Sequence, residues 1–350
     1  MDFELRQRGR ASMDFVAELG LNGARLRAAT LAEVKSAGLA PDTLAADLDE
    51  RVAQVEGALG GSKAFHTYAL VADWGSSTHG KLAIEAFEQV RDEIEPRLKA
   101  LGEGPTRIRT KPGYQLPDYA RGVEFHRTTG GWDGHEYMGF IHAELIHRHY
   151  VYKTFPGDIF AQRRRVLDEL PDREFTRVLE LGASSGHYTR MIQDKFPRAA
   201  ITGVDTSVRF LEQAQRVANE HGWTWDLLVA PGEDTGLPAE SFDLVTSYIL
   251  LHEIPERTIR GVFAEAYRTL EPGGWLLMTD VTPFWAQDRL SEFWSYWGAL
   301  HGGEPYWRES ASLKLDELCR ELGFVDAKTY GLGGKPYPWI TIARKPERAG

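Results

Sequence analysis

The sequence predicts an α/β protein: a doubly wound, mostly parallel sheet in the C-terminal half and a mainly helical N-terminal domain before it. Three observations predict this. From about residue 176, apolar runs of strand length alternate with stretches of helical period, as in successive βαβ units. The apolar run Val178 to Leu181 ends in a small-residue turn, Gly182 to Gly186, and a helical pattern starts at His187. Before residue 155, by contrast, apolar residues recur mostly at three- and four-residue spacing.

The elements follow in order. Residues 1 to about 60 read as short helices, with Thr30 capping one through Lys35 and Asp42 capping another through Leu59. They suit a dimerisation or lid element, or a plain packing extension. Residues 62–75 fit a helix lined by Phe65, Tyr68, Ala69, Val71 and Ala72, or a strand ending at Gly75. His79 to Leu101 reads as a helix with one apolar stripe, kinked or divided at Pro96. Residues 102–135 are rich in glycine and proline; an irregular stretch of that length is often functional. Helices are then expected over Glu136–Phe155 and Asp158–Leu170. Strands are expected near 177–182, 200–205, 225–230, 242–249 and 274–281, with helices near 187–196, 207–221 and 256–269. An aromatic-rich insertion, about 283–307, interrupts the alternation. A helix over Ser312–Leu322 and strands over Phe324–Tyr330 and Tyr337–Ala343 close the chain. The domains expected are 1–155 and 156–350.

Composition narrows the function. The 350 residues include 41 basic and 51 acidic side chains, a net charge of −10, which disfavours a nucleic-acid partner. A single cysteine, Cys319, leaves no intramolecular disulfide and no multi-cysteine zinc site. No apolar run is long enough to span a membrane, and the charged N-terminus has no apolar signal core behind it, so a cytoplasmic protein is the simplest expectation.

The turn after the first strand carries the chemistry. It has two flanking glycines rather than a dinucleotide fingerprint, and no lysine follows, so it is not a phosphate-binding loop. An acid, Glu180, sits inside the strand just before it. An acid beside a small-residue turn suits a ligand with a cationic end and a ribose, and S-adenosylmethionine is such a ligand. Residues 176–345 resemble a class I S-adenosylmethionine-dependent methyltransferase domain, of the small-molecule branch that includes ubiquinone-type C-methyltransferases. Five pieces carry the resemblance in the family's order: Glu180 to Gly186, Asp205 ending Ile201-Thr-Gly-Val-Asp205, Gly232 to Pro238, Ser241 to Val245, and Leu270 to Gly274. The fold it implies is a Rossmann-like doubly wound methyltransferase sheet with one antiparallel strand near the end.

The resemblance also implies site residues. Glu180, Gly182, Ala183, Ser184 and Gly186 take the positions around the methionine end. Asp205, with Thr206 beside it, takes the ribose position. Glu233 matches the acidic adenine position and Asp234 the residue whose N–H points at the ring, although the adjacent acids leave the register open. Tyr248 packs near the cofactor or in the core. His252, after the fourth strand of the family, is the first candidate base, with Glu253 behind it; the alternative is that His252 orders the loop. A second group is His126, His135, His142, His147 and His149 with Glu124, Glu136 and Glu144. On a straight α-helix, histidines seven residues apart lie roughly 10 Å apart and cannot share one ion, so no metal is expected. His142 and Glu144 are chosen instead as groups reaching the acceptor. Trp285, Trp294 and Trp297 are candidates to line an acceptor pocket, or else ordinary core or dimer contacts. The partners expected are a small-molecule acceptor and possible self-association as a homodimer, with no nucleic acid or membrane. A non-catalytic protein that binds S-adenosylmethionine, and a different reaction using it, remain as alternatives.

Overall fold

The computed structural model describes residues 3–154 and 157–348. The expected domain boundary at 155/156, and Phe155 as a helix end, lie outside them.

Helix α1 runs unbroken over Gln7–Ser36. Thr30 therefore caps nothing: it is buried inside α1, and its hydroxyl donates to the Leu26 carbonyl one turn back. Helix α2, Leu48–Ala58, is capped by Asp47 rather than Asp42, because Asp47 Oδ1 accepts the N–H groups of Asp49 and Glu50. Helix α3, Lys63–Glu88, passes straight through Gly75 and settles residues 62–75 as helical. Ser62 caps it by accepting from Phe65 N–H at 2.9 Å. The break before α4, Arg91–Gly102, falls at Gln89 and Val90, not at Pro96, which lies inside α4. Asp92 and Glu93 in the first turn of α4 favour a helix start there.

The irregular stretch contains a strand that local pattern did not reveal, β1, Arg107–Thr110. It joins the sheet edge parallel to β4, Asp226–Val229, and Arg109 clamps Asp226 with two hydrogen bonds of 2.8 and 2.7 Å. The N-terminal half is thus not purely helical. Residues 138–154 form one continuous helical run, but Ile141–Val151 is wound as a π-helix. Helix α5, Ile159–Leu167, leads into the sheet.

The remaining strands are β2 (Arg177–Leu181), β3 (Ala200–Asp205), β5 (Phe242–Tyr248), β6 (Leu270–Asp280), β7 (Val325–Gly331) and β8 (Trp339–Arg344). Their order is β1-β4-β3-β2-β5-β6-β8-β7, with every pair parallel except those of β8, which runs antiparallel to β6 and β7. Helices α6 (His187–Lys195), α7 (Val208–His221) and α8 (Glu256–Thr269) make the crossovers. Two apolar clusters, one around Val178, Leu227 and Trp225, the other around Leu179, Val245 and Phe263, cover the two faces. The aromatic insertion is mainly helix α9, Arg289–Gly302. The helix expected over 312–322 starts earlier and divides into α10, Trp307–Ser312, and α11, Leu315–Glu321. Among the described residues, no helix is long and apolar enough to cross a membrane.

Candidate active site

The parallel strands point their C-terminal ends at one large cavity of about 1360 Å³. Ligand clefts in open α/β sheets form at that edge, where strand order reverses, here between β2 and β5. Glu180, Gly182, Ala183, Ser184, Asp205, Thr206, Glu233 and Tyr248 all line it. Helices α1 and α3 close its far wall through Arg27, Leu31, Ser76 and His79.

At the β2–β3 end, local chain geometry sets the chemistry. Gly186 adopts φ +83 at the start of α6, and a Cβ there would lie 3.0 Å from Trp225 and 3.2 Å from Ala214. Glu180 is buried, and burial pushes its carboxyl up to about 8, with Asp205 adding to the shift. The nearby Thr189 hydroxyl pulls the other way without reaching a hydrogen bond: it and Glu180 Oε2 are both buried and unpaired. Burial also raises Asp205, to about 6, against two N–H groups that hold its charge. Ser184 N–H donates to its Oδ2 and Ser207 N–H to its Oδ1, each at 2.9 Å. The carboxylate is thereby fixed with lone pairs left to accept a vicinal diol. Arg163, buried on the same wall, lies over the Tyr248 ring at 4.7 Å. No carboxylate pairs with it among the described residues. Sequence reading missed Arg163, because nothing local marks an arginine on the helix before β2.

The Glu233 end of the cavity is held by a segment that carried no periodic signal. Tyr119 donates to Glu233 Oε2 at 3.1 Å, and Tyr114 donates to the Thr206 carbonyl at 2.7 Å. Burial raises the Glu233 carboxyl. Asp234 does not fill its expected role. Its N–H is spent on the Pro231 carbonyl, its exposed carboxylate pairs with Lys111, and it does not line the cavity. Gly186 likewise supports the turn without lining the cavity.

The opposite side of the cavity departs further from expectation. His252 is buried behind the cavity wall rather than on it, its Nδ1 held 2.9 Å from Asp280 Oδ1. Asp280 Oδ2 also accepts from Leu251 N–H at 2.6 Å, so this strand-end acid builds the whole turn. Burial opposes charge on His252, but Asp280 outweighs it and lifts the imidazole to about 9. His252 is therefore a turn-ordering group here, not a base facing the cavity. In its place the wall carries His126, Glu253 and Glu304. His126 Nε2 lies 2.9 Å from Glu253 Oε1, and its Nδ1 pairs with Glu304. Burial works against charge on His126 too, yet the two carboxylates raise it well above the ordinary value.

Across the cavity stand His142, His147 and His187. The π-helix accounts for the first two. Its i→i+5 winding stacks residues five apart, so the rings of His142 and His147 lie 4.6 Å apart, and His187 follows 5.2 Å beyond. Gly139 lets the start of this run press against the Arg209 carbonyl of α7, where a Cβ would not fit. Burial lowers all three, His187 to about 3, so each ring is neutral. The Nδ1 atoms of His142 and His147 are unpaired. Glu144 does not join them: it lies off the cavity, paired with Arg148 at 3.7 Å. His135 pairs with Glu88, also away from the cavity. Of the three tryptophans expected there, Trp294 lines the cavity and Trp285 and Trp297 do not. Trp297 is buried against Tyr68 and Phe65, and Trp285 lies half-exposed with its N–H on the Leu313 carbonyl.

Residues 178–274 match the model of a methyltransferase domain. The chain is 31% identical over 121 residues to a ubiquinone/menaquinone biosynthesis C-methyltransferase of Desulfotalea psychrophila, covering 35% of this chain and 48% of that protein. It is 28% identical over 203 residues to a trans-aconitate 2-methyltransferase of Deinococcus radiodurans, covering 54% and 72%. Among solved structures, a phosphoethanolamine N-methyltransferase of Haemonchus contortus aligns over 53% of each chain at 18% identity, with a TM-score of 0.43. The chain spans about half the length of most of the relatives it matches.

Proposed function

We propose, from the premise that residues 178–274 are a methyltransferase domain of the class I S-adenosylmethionine-dependent kind, that the chain moves a methyl group to a small molecule held in the shared cavity. The observation that carries the reading is the pair of acids lining the cavity at neighbouring strand ends, the buried Glu180 and the half-buried Asp205. Glu180 Oε2 has no partner, and Asp205 is pre-aimed by two backbone N–H groups. Burial without a partner holds the Glu180 carboxyl protonated in the free protein, and a cationic ligand would favour its ionised form. S-adenosylmethionine fits: Glu180 would face its cationic end, Asp205 its ribose, Glu233 its adenine, and Arg163 its carboxylate. It supplies a methyl carbon already activated by the sulfonium, so the protein's task is mainly orientation and exclusion of water.

The remaining space belongs to the acceptor. His142 supports a role as general base, because it is neutral, faces the cavity and has an unpaired Nδ1. Trp294, Trp132 and Tyr150 supply apolar wall, which suits a ring-bearing or apolar acceptor. The N-terminal helices belong to this reading as the acceptor wall. The reading also carries a cytoplasmic location and no nucleic-acid or membrane partner, in keeping with the net charge of −10. A homodimer is the assembly to test: Phe15 and Trp74 form an exposed edge-to-face pair on α1 and α3.

The test follows methyl-labelled S-adenosylmethionine incubated with the protein and a fractionated pool of small metabolites. Label passing to a small-molecule fraction, and lost with His142→Phe, supports the reading. Label that stays on bound S-adenosylmethionine with every fraction would instead make this a non-catalytic binding protein.

A further inference from the structure

A second cluster stands apart from the three neutral histidines. His126 comes from the irregular stretch, His252 and Glu253 from the turn after β5, and Glu304 from the end of α9. His126 Nε2 lies 2.9 Å, and His252 Nε2 4.0 Å, from the same Glu253 Oε1. One ligand atom from each of these three residues lies within 4.8 Å of the others. In a tetrahedral site with bonds of about 2.1 Å, ligand atoms sit about 3.4 Å apart, so both separations are within about 0.6 Å of that spacing.

The surroundings match as well. Each imidazole turns its Nδ1 onto a carboxylate: His252 onto Asp280 at 2.9 Å, His126 onto Glu304. In the free protein each Nε2 is turned toward Glu253, and an ion bound there would replace the proton on it while the carboxylates at Nδ1 orient the rings, as carboxylate–histidine pairs do behind bound metals. A further oxygen, Glu304 Oε2, is buried without a hydrogen-bond partner, 3.8 Å from His252 Nε2. The backbone is also held for the purpose: His126 and Arg127 sit at φ +51 and +54, a left-handed conformation costly for side-chain-bearing residues.

We propose that His126, His252 and Glu253 bind a divalent transition-metal ion of the zinc class, with Asp280 and Glu304 as the orienting carboxylates. Two histidines and one carboxylate leave coordination positions open. His126 and Glu253 line the cavity, so an acceptor's oxygen or sulfur held there would have access to the ion. Coordination of an acceptor rests on the methyl-transfer reading; the metal site itself does not.

The test titrates zinc chloride calorimetrically into the full chain after chelator treatment and desalting. Cobalt(II) serves as a spectroscopic probe. The expected result is one ion per chain and the intense visible bands of low-coordinate cobalt. His126→Ala and Glu253→Gln each weaken zinc binding by more than about tenfold, and Glu304→Gln by about 10–100-fold. Thermal melting checks each variant's fold; His126 is part-exposed on a loop, so its truncation keeps the core intact. A folded wild type that binds no zinc, or binding that these variants leave unchanged, overturns the proposal. S-adenosylmethionine binding measured on the same samples separates the two claims: if it persists while zinc binding is absent, the metal proposal alone falls.

Discussion

The two ends of one cavity are built in different ways. At the β2–β3 end, the groups come from a short span of chain: Glu180, the turn to Gly186, and Asp205 at the end of the next strand. Their positions follow from strand ends and one tight turn. At the other end, His126, His142, Glu253 and Glu304 come from four segments far apart in sequence. The electrostatics differ too. The first end holds one buried acid with an unpaired oxygen, Glu180, beside a second acid fixed by two backbone N–H groups, Asp205. The second holds histidines either paired with acids or buried neutral. A site made of local geometry can accept one fixed ligand, while a site assembled across the fold can vary with the acceptor.

The contrast can be broken in four places, taken from the largest expected effect downward. Gly186→Val should hit the local end hardest. Left-handed backbone and the contact with Trp225 together cost roughly 2–5 kcal/mol, seen as a lowered chemical-denaturation midpoint with loss of cofactor binding. At the assembled end, His142→Phe should lower kcat by about 10²–10⁴-fold while S-adenosylmethionine affinity stays within about threefold. If affinity collapsed instead, the two ends would not be separable.

A third effect is smaller and depends on pH. In the free protein Glu180, faced by Thr189, Asp205, Arg163 and Tyr188, is mostly protonated below about 8. A cationic ligand favours the ionised form, so binding releases a proton and affinity rises with pH up to about 8, by at most about tenfold per unit. The free fold shows the opposite sign. Its carboxyl holds its proton above the unfolded value of about 4.3, so stability from this group is lost as pH rises from there to about 8. Glu180→Gln should flatten both profiles, read by calorimetry in buffers of different ionisation enthalpy and by melting across pH. The smallest effects belong to residues that sequence reading placed in the site and the fold keeps out of it. Glu144→Gln and Trp285→Ala should leave kcat/KM within about twofold, and Glu144→Gln should leave stability within about 0.5 kcal/mol.

What the sequence disclosed tracks the same divide. The order of β2 to β8 and the positions of Glu180 and Asp205 were legible, because strand ends and turns announce themselves locally. Asp234 was misplaced because two adjacent acids look alike until Lys111 and the Pro231 carbonyl claim one of them. His142 and His147 meet only because the helix is π-wound, which a 3.6-residue period does not reveal. Strand β1, Tyr114 and Tyr119 lay in a stretch with no periodicity, and their partners, on β4 and at Thr206 and Glu233, are about a hundred residues away. Asp280 and Glu304 pair with histidines that only the fold brings beside them.

The central claim is that the β2–β3 end binds S-adenosylmethionine through Asp205. Calorimetric titration of S-adenosylmethionine into the wild type and into Asp205→Ala tests it most directly. Binding on the order of micromolar by the wild type, weakened about 100-fold or more in the variant, is the predicted result, since two hydrogen bonds to a charged group are lost. A folded wild type that does not bind, or a variant that binds as well as the wild type, would contradict it.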